Sequence, residues 1–170
     1  LSSRNKIIRF DSLALKSRYD RKTFAAQLKY QKDQVDLMIP SLLIENIDYR
    51  DAIFRERYKA GAITINQAQQ NKFKDKTIPP DTSLYKTMPA QMLSDLGFYL
   101  NVDTLLVNDG YVKYEEFNQL MNQNGLVFFD HIKGRVTGIS NDVDFRSFGG
   151  ALKIDVSGRL MAEANFSLGA

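Results

Sequence analysis

The sequence predicts a mainly β (α+β) fold: one long, curved antiparallel sheet, left as an open groove or taco-like trough, with two short helices. Three observations carry this. Apolar residues recur at every second position over much of the chain, the period of a strand with one wet face. The aromatic residues are 11 Phe and 8 Tyr with no Trp, and aromatic and β-branched side chains suit a half-buried pleated surface. The last segment holds successive even positions without a polar side chain: Leu152, Ile154, Val156, Gly158, Leu160, Ala162, Ala164, Phe166 and Leu168. If unbroken, it is far longer than an ordinary strand of about five or six residues, although Gly158 is a place for a bend.

The elements follow in order. Thr23 to Tyr30 alternates, with Phe24, Ala26, Leu28 and Tyr30 on one side, and reads as a strand. Val35, Leu37 and Ile39 continue the pattern until Pro40, which signals an edge or a bulge. Asn46 to Arg57 reads as a short helix capped by Asp48, with Ile47, Ala52, Ile53 and Phe54 as its apolar stripe. Tyr58 to Asn66 is extended. Residues 67–86 are polar without a period and end in Pro79–Pro80, so they read as a flexible surface loop. Met88 to Leu96 is a second helix, capped by Thr87 and stopped by Gly97, with Met88, Met92, Leu93 and Leu96 on one face. Phe98 to Val107 is a strand with Leu100, Val102 and Thr104 in register. The triplet Asn108–Asp109–Gly110 predicts a hairpin turn into a return strand, Tyr111 to Phe117. Residues 119–125 are a polar link, and Leu126 to Lys133 is a further strand.

A length of 170 residues fits one domain, taken as 1–170. The 44% hydrophobic content is enough for a core. A net charge of +3 is too mild for a nucleic-acid partner. No apolar run is long enough for a transmembrane helix. With no Cys, a disulfide framework, thiol catalysis and Cys-ligated zinc are excluded.

No catalytic constellation stands out, and the chain is read as a non-enzyme with no catalytic residue, metal or cofactor. The single His, His131, lies inside a strand and reads as structural. Glu115 and Glu116 are adjacent, so they face opposite sides of a strand and make a poor carboxylate pair. Asp142 and Asp144 have no EF-hand order around them. Lys72, Lys74 and Lys76 around Phe73 have the chemistry to touch anionic headgroups, although a solvated loop explains them as well.

The apolar face admits two readings. In one it packs on a second layer and forms a closed core, as in a scaffold or adhesion module. In the other it lines a groove for hydrocarbon, since each buried CH₂ contributes about 0.8 kcal/mol without needing any polar constellation. The candidate contacts are then Leu152, Ile154, Val156, Leu160, Phe166 and Leu168, with Phe24, Leu28, Tyr30, Leu100 and Val102 on neighbouring strands.

The order of segments resembles a recurring piece of AsmA-like bacterial envelope proteins. The resemblance lies in Met88–Pro89, Val102 to Leu106, Asn108 to Gly110, Tyr114 to Glu116, the turn Ile139 to Asp142 and the pair Leu160–Met161. It spans roughly residues 23 to 168. It implies a long taco-like sheet with an apolar lining, and a role in holding or moving phospholipid, or in outer-membrane assembly, in the periplasm of a diderm bacterium. The family's N-terminal membrane anchor is not in this sequence, which therefore looks like an internal or soluble portion of a larger, membrane-anchored protein. Raw sheet edges would invite edge-to-edge dimers.

Overall fold

The computed structural model describes residues 6–83, 89–118, 123–142, 144 and 150–169. Ten strands form one curved sheet that stays open rather than closing into a barrel. They are β1 (Ile7–Phe10), β2 (Leu13–Leu15), β3 (Asp33–Ile39), β4 (Ser41–Glu45), β5 (Arg57–Asn66), β6 (Gln69–Asp75), β7 (Tyr99–Asn118), β8 (Gln123–Ser140), β9 (Lys153–Leu160) and β10 (Ala164–Gly169). Three short helices join them: α1 (Arg21–Ala26), α2 (Tyr49–Arg55) and α3 (Pro89–Ser94).

The short strands are halves of longer ribbons. Ser41 pairs with Asn66 and Met38 with Gln69, so the register crosses Pro40 with equal steps on both chains. The same holds between Phe10–Leu42 and Leu13–Ile39. It also holds between Asn66–Asn108 and Gln69–Tyr111. The ribbon β1–β2 therefore lies on β3–β4, which lies on β5–β6, which lies on β7. From there β8, β9 and β10 follow as a meander. One junction departs from the antiparallel expectation: β5 and β6 both run parallel to β7. The chain between β6 and β7, with α3 in it, is the longer connection that parallel neighbours require.

Two transverse rows interrupt the ribbons. The first runs through Lys6, Asn46, Gly61, Asp103 and Gly138; Lys6, Asn46 and Gly138 have φ of 53, 55 and 70°, and the pairing ladders skip Gly61–Asp103 and Asp103–Gly138. A Cβ on Gly61 would lie 2.9 Å from Asn46 Nδ2, so a side chain there would have to displace Asn46. The second row runs through Pro40, Gln67, Asp109 and His131, the last three with φ of 54, 55 and 47°. Register shifts on β7, β8 and β9 coincide with it. The first row interrupts the pleat without a change of register. At the second, β8 takes one residue more than β9 between Asp130 and Lys133, as in a β-bulge, which bends the strand. The parity of the inward side chains changes there. Leu100 and Val102 share a face with Leu105 and Val107, and then with Val112 and Tyr114.

Several sequence expectations are corrected. Thr23 to Tyr30 is not a strand, because Asp20 caps α1 by accepting from the Thr23 N–H at 3.0 Å. Phe24 lies in that helix, and Leu28 and Tyr30 in the chain after it. Among the described residues the helices number three, not two. The loop expected over 67–86 contains β6, which is held between β3 and β7. Asn108–Asp109–Gly110 is no hairpin turn: β7 runs straight through it, and Asp109 uses its left-handed conformation for the bulge. The C-terminal stretch is a hairpin rather than one ribbon. Met161 and Ala162 both have positive φ (54 and 60°), and the Glu163 N–H donates to the Leu160 carbonyl at 3.0 Å. This is the type I′ pattern that suits the twist of paired strands.

Other expectations agree. Asp48 caps α2, accepting from the Asp51 N–H at 3.0 Å. β5 covers the extended segment expected from Tyr58 to Asn66. The stripe of α2 differs, since Ile47 is buried but Ile53 and Phe54 face solvent. Thr87 and Met88, expected to begin α3, lie outside the described residues.

Candidate functional site

The alternation of the C-terminal segment survives its hairpin because the turn pairs even residues with even. Leu160 faces Ala164, Gly158 faces Phe166 and Val156 faces Leu168. Directly opposed residues share a face, so Ile154, Val156, Leu160, Phe166 and Leu168 remain on one side. Pairing carries that side across the sheet, through Gly134 and Val136 to Val107 and Leu105, then to Ile65 and Ile63, Leu42 and Ile44, and Phe10 and Ile8. The opposite face carries Lys153, Asp155, Ser157, Arg159, Arg135 and Lys133. There Arg159 makes a two-pronged ion pair with Asp130, at 2.9 and 3.1 Å.

No second sheet covers the apolar side among the described residues. Only Ile47 and Val102 are buried apolar side chains there, and no side chain is fully enclosed. The apolar side deepens into a cavity of about 580 Å³ near α2, within the usual range for small-molecule pockets, roughly 300–1,000 Å³. Ile8, Ile44 and Ile63 line it together with Tyr58, Ala60, Leu100 and Val102, and Phe98 stands edge-on to Tyr58 at 5.2 Å. Unbroken strands would put Ile63 and Ala60 on opposite faces. The interruption of the pleat at the first row brings them together.

Helix α2 closes one flank with Tyr49 and Ala52. The polar groups of this wall are already engaged. The Tyr49 hydroxyl donates to the Ile7 carbonyl at 3.0 Å. Lys59 Nζ donates to Asp51 Oδ2 at 2.7 Å, and Arg55 to Asp51 Oδ1 at 3.1 Å. The hydrogen bond from Lys59, outweighing burial, holds the Asp51 carboxyl below the usual carboxylate range. A guest here finds hydrocarbon walls and no free charge to recognise.

At its other end the same face turns polar. Asp33 takes Lys72 at 2.6 Å and Lys74 at 3.0 Å. The Tyr114 hydroxyl donates to Glu116 at 2.8 Å, and Lys76 stands 3.5 Å from Glu116. Burial first, then the Glu116 hydrogen bond and charge, push the Tyr114 hydroxyl up to about 12. The three lysines expected on a loop are thus ion-paired at the sheet. Glu115 pairs with Arg21 and Lys113 on the opposite face from Glu116, as their adjacency requires.

The expected contact residues divide into three groups. Leu100 and Val102 line the cavity. Ile154, Val156, Leu160, Phe166 and Leu168 share its face at the far flank of the sheet, beyond β8, with Leu152 just before β9. Phe24, Leu28 and Tyr30 are on no strand. Arg21, which opens their helix, lies 4.3 Å over the ring of Phe73 and reaches Glu115, on the polar face. Sequence reasoning missed Ile8, Ile44, Ile47 and Tyr49. The signal for Ile44 and Ile63 was Gly61, whose position marks a phase slip.

His131 sits in the second row, exposed, with Nδ1 2.8 Å from Asp109 Oδ1. Asp142 accepts from the Tyr99 hydroxyl at 3.1 Å and from the Asp144 N–H at 3.0 Å. No described helix is long and apolar enough to cross a membrane. No protein-family model matches this chain, and no curated protein or solved structure does.

Proposed function

We propose that the chain is a non-catalytic lipid-handling segment, holding phospholipid acyl chains along the apolar face of its sheet, with the cavity beside α2 as the deepest part of the path. The observation that carries this is an open apolar face, uncovered by a second sheet among the described residues, whose cavity has its polar groups engaged within the protein. Burying about ten methylenes contributes about 8 kcal/mol. If ordering costs offset about half, the remaining ~4 kcal/mol corresponds to ~1 mM affinity per chain, loose enough for a lipid to pass along. A closed-core scaffold would need the same side chains buried against another layer, which leaves the groove as the better reading. The resemblance to AsmA-like proteins supports a place in the periplasm or cell envelope of a diderm bacterium, and a part in outer-membrane assembly.

Native mass spectrometry of the chain purified from cells, followed by lipid extraction, tests the proposal. Phospholipid is expected to co-purify, and to be lost from folded Leu100→Asp and from the cavity-filling Ala60→Phe. A lipid-free wild-type chain, or folded variants carrying as much lipid as wild type, would overturn it.

A further inference from the structure

We propose that α2 docks on an anionic phospholipid bilayer and brings the mouth of the cavity to that surface. The helix presents apolar side chains both to the cavity and to solvent. Tyr49 and Ala52, three apart, line the cavity. Arg50 neighbours both Ile53 and Phe54, three and four residues on, and all three side chains face solvent. Phe54 is 78% exposed and Ile53 70%, the two largest exposures among the described large hydrophobic side chains. Two such side chains together on a seven-residue helix are not scattered surface residues.

The charges around them choose the occupant. Arg50 neighbours them, and the Arg55 side chain, at the end of the helix, is 71% exposed. Exposed Lys6 sits beside the helix start, where its carbonyl accepts from Ile47 at 3.1 Å. The nearby acids are mostly occupied: Asp48 caps the helix and Asp51 is buried under Lys59 and Arg55. Glu56 remains the exposed acid of the segment. An apolar pair rimmed by cations matches acyl boundary and anionic headgroups together. Tyr58 and Phe98, partly exposed at the cavity rim, give an aromatic passage between bilayer and groove. The choice of a bilayer as the surface rests on the acyl-chain reading above.

The test is co-sedimentation with vesicles of phosphatidylcholine and phosphatidylglycerol in equal parts, against pure phosphatidylcholine. The wild-type chain is expected to partition onto the mixed vesicles and more weakly onto the neutral ones. Ile53→Ser with Phe54→Ser is expected to lower partitioning about tenfold or more, with an unchanged far-ultraviolet circular dichroism spectrum. Arg50→Glu is expected to weaken binding to the mixed vesicles only. Ala60→Phe is expected to lose co-purifying lipid yet still bind vesicles, which separates failure of the groove from failure of docking. The proposal is overturned if wild type ignores the mixed vesicles, or if the double serine variant binds them within about twofold of wild type. A lipid-free dimer that depends on Ile53 and Phe54 would equally overturn it.

Discussion

Gly158 gives the sharpest test of the C-terminal hairpin. It lies opposite Phe166 on β10, and the ring of Phe166 stands edge-on to Phe129 at 5.6 Å. A Cβ placed on Gly158 would lie 3.0 Å from two ring carbons of Phe166 and 3.1 Å from the backbone oxygen of Asp130. The ring can swing away only by giving up its contact with Phe129, worth about 0.5–1.5 kcal/mol. The carbonyl, tied into the β8 ladder, has less freedom, and forced overpacking costs about 1–3 kcal/mol. Against this, alanine restricts the unfolded chain and returns about 0.4–1 kcal/mol. Gly158→Ala is therefore expected to destabilise by about 1–2 kcal/mol, a fall in Tm of roughly 2–8 °C for a chain of this size. Urea unfolding followed by circular dichroism measures it, and Phe166→Ala supplies the second edge of a double-mutant cycle. With the ring gone, the penalty should shrink by about 1 kcal/mol. A wild-type background in which Gly158→Ala is neutral or stabilising would refute both this contact and the register that creates it.

Three further outcomes are expected. Ala162→Gly should stabilise the chain by about 1 kcal/mol, because Ala162 holds a φ of 60° that glycine adopts without strain; thermal unfolding reads the gain. Burial raises the Asp33 carboxyl, but Lys72 and Lys74 outweigh it and hold the group below its usual 3.8. Its stabilisation is thus present above that value and lost as pH falls through the lower folded value, so Asp33→Asn should flatten the acid limb of stability against pH. Tyr114 behaves in the opposite sense: its neutral form is favoured in the folded chain, so stability should fall from about pH 10, where the unfolded phenol ionises, to about 12. Tyr114→Phe should remove that part of the alkaline loss, as followed by phenolate absorbance and unfolding midpoints together.

The sheet was legible where side chains alternate without interruption, as along Tyr58–Asn66 and on each arm of the C-terminal hairpin. The cap of α2 was legible because Asp48 is a residue type whose oxygen satisfies an orphan helix amide. The hairpin itself was not, since Leu160–Met161–Ala162–Glu163 contains none of the Gly, Asn or Asp that usually mark positive φ. Asn108–Asp109–Gly110 erred the other way: the same left-handed conformation serves a bulge or a turn, and only the partner strand decides which. β6 was hidden because Gln69, Asn71, Lys72 and Lys74 are polar, and what holds them is pairing on both sides and Asp33 across the sheet. Phe24 to Tyr30 alternates by accident of composition, and a local cap at Asp20 outweighed that pattern. The shared face of Ile154, Val156, Leu160, Phe166 and Leu168 followed from parity alone. The cavity did not, because it forms where parity slips.

The two rows of left-handed residues make the sheet behave as a pleated plate scored along two lines. Stiffness lies in the panels between the lines, where the ladders are unbroken, while flexure gathers on the scores themselves. Any change in the width of such a trough would turn whole panels about fixed axes, much as a folding screen does.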